Sequence, residues 1–123
     1  MADINILLKN YLNYLEIEKN RSVKTAANYE RYLKAFFKFG RIKNENDITI
    51  EAVRDFRLHL ARQKNRAGKD FKKTTQSYYI IAMRNFLKYL IKNDYDVISP
   101  DKIELPKISE RQIEIVEINK KRQ

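Results

Sequence analysis

The residues best equipped for chemistry in this chain are cations and hydroxyls placed side by side. Lys72-Lys73-Thr74-Thr75 leads into the apolar segment around Tyr78–Met83, and Arg21-Ser22-Val23-Lys24-Thr25 leads into another. Lysine and arginine replace the counterions of a phosphate backbone, and hydroxyls and helix N-termini donate hydrogen bonds to phosphate oxygens. One hydroxyl is enough to cap a helix, and Thr74 or Thr75 is expected to do so here. The lysines beside it oppose the helix dipole by roughly a few tenths of a kcal/mol. A bound row of phosphates would offset that cost.

Other chemistries are poorly supplied. There is no cysteine, which excludes disulfides, thiolate metal sites and a cysteine nucleophile and fits a reducing cytosol. The single histidine, His59, leaves no zinc ligand set. No metal, cofactor or catalytic residue is expected, and most of the eight tyrosines fall on apolar stripes. The opening MADINILLKNYL lacks a charged n-region and a cleavage site. The longest apolar run is six residues, Tyr78–Met83, against the roughly 20 needed to span a bilayer. A soluble cytoplasmic protein is expected.

A chain of 123 residues with 43% hydrophobic and 34% charged residues has the composition of one globular domain with some tail. Its net charge of +10 points to a polyanionic partner, nucleic acid first and an acidic membrane surface second. The charge is uneven. Residues 21–45 hold seven Lys/Arg against two acids, residues 54–73 hold eight against two, and residues 1–20 are net −1.

Helical periodicity accounts for the first hundred residues, and no segment alternates strictly. A first helix is expected over 3–19, with Ile4, Leu7, Leu8, Tyr11, Leu12 and Leu15 inward. A second is expected over 23–39, capped by Ser22 and ended by Gly40, with Ala26, Tyr29, Leu33, Phe36 and Phe37 inward. A third over 50–64 is capped by Thr49, and a loop spans 65–70. A fourth, over 75–93, turns Tyr79, Ile80, Met83, Phe86, Leu87 and Leu90 inward. The fold class is therefore all-α, four helices around one core. Residues 1–98 are expected to form this domain. Residues 99–123, with Pro100, Pro106 and the unpartnered Ile113, Ile115 and Ile118, are expected to form an extended linker.

The second and fourth helices match at an offset of fifty residues, from Thr25/Thr75 through Tyr29/Tyr79 to Phe37/Leu87. Amphipathic helices converge on such patterns, so no true repeat is inferred. Their outward faces are more informative. The second presents Lys24, Ala27, Asn28, Arg31, Ala35 and Lys38; the fourth presents Thr74, Ser77, Tyr78, Ile81, Asn85, Lys88 and Lys92, with Arg84 at the margin. Neither face has an acid in its middle, whereas a solvated face normally mixes both signs. The candidate DNA-binding residues are Arg21, Lys24, Thr25, Asn28, Arg31 and Lys38, together with Lys72, Lys73, Thr74, Thr75, Ser77, Tyr78, Arg84 and Lys88. Asn28 and Gln76 carry amides able to read base edges. The competing account is an ordinary solvated face with two caps.

Three stretches in order carry a resemblance. They are YLEIEKNRSVKTAANYERYLKAFFKF, DITIEAVRDFRLHLARQ and TTQSYYIIAMRNFLKYLIKNDYDVISPDKIELPK. They are similar to the N-terminal core-binding (SAM-like) domain of tyrosine recombinases, the phage-integrase and Xer-like family, over about residues 3–110. The shared features are Ser-x-x-Thr, a Phe pair, Arg-x-Phe within the last helix, and a closing Leu-Pro-Lys. The chain departs from the family pattern at Ala26 and at Gln76-Ser77-Tyr78-Tyr79. The resemblance implies half of a clamp around duplex DNA, with two helices across the major groove. It implies further recombinase protomers as partners, a fragment monomeric by itself, and a catalytic domain beginning where this chain stops. His59-Leu60-Ala61-Arg62 has the spacing of a catalytic box of that family, but it falls in the third helix beside a core leucine and is read as a surface histidine. The alternatives are a stand-alone helical DNA-binding regulator and a protein-interaction bundle.

Overall fold

The computed structural model describes residues 2–105 except 65, 66 and 70. Among them lie four α-helices and no strand: α1 (Ile4–Ile17), α2 (Val23–Gly40), α3 (Ile50–Arg62) and α4 (Lys73–Lys92), with short 3₁₀ turns at Glu45–Asp47 and Pro100–Lys102. The chain is all-α, as the periodicity predicts.

Local sequence explains most helix ends. Asp3 caps α1 by accepting from the Asn5 amide, Ser22 caps α2 through the Thr25 amide, and Thr49 caps α3 through the Ala52 amide. Each oxygen satisfies an amide that the helix itself leaves unpaired. Gly40 does not end α2 in the expected manner. It is the last helical residue, and Arg41 takes the left-handed position at φ 54°. The glycine is used for space instead, since a Cβ there would lie 3.1 Å from Cδ1 of the buried Ile42.

The predicted stripes build one core. Leu7, Tyr11, Leu33, Phe36, Phe56, Met83, Phe86 and Leu90 are all buried. Aromatic rings join the helices, with centroids 5.2 Å apart for Phe36 and Phe56, 5.7 Å for Phe37 and Phe86, and 5.2 Å for Tyr11 and Phe86. Leu12, Tyr29 and Tyr79, expected inward, are half-buried. α4 packs against α2, α3 and the Pro100–Lys102 turn, and meets α1 through the Tyr11–Phe86 rings. It buries Ser77, Ile80, Ala82, Met83, Phe86, Leu87 and Leu90, a wider band than its apolar stripe alone predicts.

The packed unit runs past the expected boundary at residue 98. Ser99 caps the Pro100–Lys102 turn, Pro100 is buried, and Ile103 joins the core at 2% exposure. Within the segment expected to be an extended linker, residues 99–103 therefore pack on the domain. The remainder of that segment after Leu105, with Ile113, Ile115 and Ile118, lies outside the described residues.

Candidate nucleic-acid interface

The two basic helix starts differ in how they are built. At α2, Ser22 Oγ accepts from the Thr25 amide at 3.1 Å and donates to Thr25 Oγ1 at 3.0 Å. This N-terminus is capped by its own side chains, with Arg21 and Lys24 exposed beside it.

At α4 the expected threonine cap is absent. The helix begins at Lys73, so Thr74 and Thr75 lie inside its first turn, too late to cap it. Lys72 occupies the cap position with extended backbone and no side-chain hydrogen bond. The amides of Lys73, Thr74 and Thr75 lack an intrahelical acceptor by helix geometry. Lys72 and Lys73 are exposed, and Thr74 and Thr75 half-buried. Phe71 fixes this start: its amide donates to the Gln63 carbonyl at 3.0 Å, and its own carbonyl accepts from Gln76 Nε2 at 3.1 Å. Gln76 is therefore engaged in holding the entry to α4 and not presented as a base reader. Open amides and two cations at one helix end form an arrangement suited to anions.

The outward faces are partly as predicted. On α2, Lys24, Arg31 and Lys38 are exposed and Asn28 half-buried. The Arg31 guanidinium lies 5.1 Å from the ring centroid of Tyr32, which meets Tyr79 of α4 at 4.6 Å. Ala35, expected outward, packs against the core. Glu30 pairs with Lys34 at 3.1 Å, one turn apart along the helix. On α4, Tyr78 is 54% exposed, and Ile81 and Lys88 are exposed too.

Ser77 contradicts its expected outward placement. It is buried at 4% exposure, and its Oγ donates to the Lys73 carbonyl at 2.9 Å. That bond, to the carbonyl four residues back, satisfies the hydroxyl locally and lets it face inward. Arg84 is half-buried, and its Nε donates to the Pro100 carbonyl at 3.2 Å. Asn85 is half-buried and accepts from the Tyr11 hydroxyl at 2.6 Å. Sequence periodicity carried no sign of either long-range partner. Among the described residues Lys24, Lys38, Lys72, Lys73 and Lys88 form no ion pair with a carboxylate. The structure brings Arg21, just before α2, and Lys88 of α4 to the walls of one cleft.

His59 is exposed and stacks on Phe39 at 4.4 Å, a surface packing role. No group of three or more His, Cys, Asp or Glu side chains among the described residues could hold a metal ion. No helix among them is long and apolar enough to cross a membrane.

Comparison with known proteins finds relatives over most of the chain. The chain is 30% identical over 112 residues to the tyrosine recombinase XerC of Bacillus subtilis, covering 90% of this chain and 36% of that protein. It is 31% identical over 108 residues to XerC of Leptospira interrogans, covering 85% of this chain and 33% of that one. It is 26% identical over 116 residues to the tyrosine recombinase XerD of Halalkalibacterium halodurans, covering 90% and 37%. The chain thus spans about a third of the length of these relatives. No solved structure matches it significantly. The family model for the phage integrase N-terminal SAM-like domain matches residues 8–94, which includes all four helices except the first turn of α1, and the chain belongs to that family.

Proposed function

We propose that this chain is the DNA-holding domain of a site-specific tyrosine recombinase and grips one half-site of duplex DNA through α2 and α4. One observation carries the reading: among the described residues Lys24, Arg31, Lys38 and Lys88 on the outward faces of the two helices lack carboxylate partners, and α4 begins with open amides flanked by Lys72 and Lys73. Lysines and arginines so placed replace condensed counterions. The proposed phosphate contacts are Arg21, Lys24, Thr25, Arg31, Lys38, Lys72, Lys73, Thr74, Thr75 and Lys88. Asn28 and Tyr78 are the side chains proposed to reach base edges. Arg84 joins them only through the guanidinium nitrogens that Pro100 leaves free. Ser77, being buried, is not part of the interface.

In this reading the residues that break and rejoin DNA belong to a separate catalytic domain. Further protomers assemble on the same DNA, the domain by itself is a monomer, and no metal or nucleotide is needed. Similarity to tyrosine recombinases over most of the chain supports the role. The test is duplex affinity at two salt concentrations. Binding should be weak, on the order of 10⁻⁴–10⁻⁶ M at physiological salt, and should fall steeply as salt rises. A protein-interaction bundle would leave duplex binding undetectable at either concentration.

A further inference from the structure

A cleft of about 620 Å³ opens between the end of α1, the start of α2 and the second half of α4, with Pro100 and Asp101 at its edge. Lys19, Arg21, Lys88 and Lys92 line it, and Asp101 is the one carboxylate among its lining residues. The Lys19 and Lys92 ammonium groups lie 5.9 and 5.3 Å from the centroid of the same ring, Tyr14. Two like charges are thus held on one aromatic side chain. None of the four cations forms an ion pair among the described residues. Glu18 is near enough to act on Tyr89, yet it does not pair with any of them.

Asn85 adds a directed donor. The Tyr11 hydroxyl, on a fully buried residue, donates to Asn85 Oδ1 at 2.6 Å. Burial raises the Tyr11 phenol far above its ordinary range, so it stays protonated and keeps donating. The bond fixes the amide with its oxygen toward Tyr11. The Asn85 NH₂ group, on a residue that lines the cleft, makes no hydrogen bond of its own among the described residues. The cleft therefore gathers four cations and an amide donor against a single carboxylate. Such an excess of donors matches a ligand that is anionic and accepts on every side.

We infer that this cleft is a phosphate-binding site in which the Asn85 amide and the cations Lys19, Arg21, Lys88 and Lys92 hold the phosphate group. Two sources share that chemistry: a phosphodiester of the duplex carried by α2 and α4, and a free phosphate compound. Only the first source rests on the proposed DNA-holding role.

The side-chain amide signals of Asn85 report on the site in a ¹⁵N correlation spectrum and can be assigned by their loss in Asn85→Ser. The chain is titrated separately with inorganic pyrophosphate and with a short duplex. Saturable movement of the Asn85 pair is expected, and Arg21→Ala/Lys92→Ala should weaken it by about tenfold or more, as when a charge-assisted hydrogen bond is removed. Both replaced residues are exposed, so the fold should persist. Movement with the duplex alone assigns the backbone as source, and movement with pyrophosphate assigns a free ligand. No movement with either probe overturns the inference. So does movement that the double variant leaves unchanged, or equal shifts beside exposed lysines elsewhere such as Lys34. If the duplex binds and Asn85 stays silent, the cleft fails and the DNA reading stands. If pyrophosphate moves Asn85 and no duplex binds, the reverse holds.

Discussion

Replacing Tyr11 by phenylalanine separates two contributions of one hydroxyl, and pH tells them apart. Tyr11 is 0% exposed, and its hydroxyl donates to Asn85 at 2.6 Å. Loss of that bond should cost about 1 kcal/mol at neutral pH. The figure stays near this level because Asn85 is only half-buried, so water can reach its abandoned oxygen. The phenol pKa is raised chiefly by burial, then by Tyr29 and Tyr14, and slightly opposed by Arg21. A raised folded-state pKa contributes stability that is fully present below the unfolded pKa of about 10 and is lost as pH rises above it. At about pH 11 the unfolded chain has released nearly one more proton than the folded one, which removes about 1.4 kcal/mol. The phenylalanine variant has no such proton to release. Tyr89, also raised mainly by burial, titrates in both chains and cancels from the comparison. The stability gap of about 1 kcal/mol should therefore close between about pH 10 and pH 11, and by about pH 11 the phenylalanine variant should be slightly the more stable. Urea unfolding followed by far-UV circular dichroism across this range measures it. A gap that stays constant from neutral to alkaline pH would refute both the burial argument and the donor role of Tyr11.

Ile103→Ala should lower stability by about 2–4 kcal/mol, the usual cost of emptying a core site, because Ile103 is 2% exposed. A loss within about 0.5 kcal/mol, as at a surface position, would show that the packed unit ends earlier. Ser22→Ala should cost about 1 kcal/mol through loss of the α2 cap, with duplex binding reduced only in proportion to fraying of that end. Thr74→Ala should cost less than Ser22→Ala in thermal unfolding, since Thr74 makes no cap bond.

The start of α2 and most of its buried stripe were readable in the sequence, whereas its end at Gly40 and the inward packing of Ala35 were not. Ser22 is a strong cap signal, and α2, though packed against α1, α3 and α4, keeps Lys24, Arg31 and Lys38 on an exposed outer face. α4 was harder for a physical reason. Periodicity describes a helix with one buried side, and α4 is packed by α1, α2, α3 and the Pro100–Lys102 turn. Its polar residues at 77, 84 and 85 are drawn inward and satisfied by partners at 73, 100 and 11. Two of those partners lie far away in sequence, where no local pattern can register them. The missing cap was obscured by two threonines that look like caps but fall one and two residues inside the helix. The packed end at Ile103 was obscured by the prolines, which read as extended chain. Ser99-Pro100-Asp101, a cap residue followed by proline and an acid, was the available signal for a helical turn. For the candidate interface, the exposure of most cations on α2 and α4 was legible. The placement of Arg21 and Lys88 around one cleft needed tertiary structure.

The central claim is that the uncapped, lysine-flanked start of α4 grips DNA phosphates. The side chains of Lys72 and Lys73 are exposed and form neither a cap hydrogen bond nor an ion pair among the described residues, so replacing both by alanine should leave the fold intact. Duplex affinity of parent and Lys72→Ala/Lys73→Ala, measured by fluorescence anisotropy over a series of salt concentrations, tests this directly. The account predicts weaker binding to every sequence alike and a slope of log K against log salt smaller by about two, one unit per lost phosphate contact. Equal affinity with an unchanged slope would contradict it and leave that end of α4 as a solvated helix terminus.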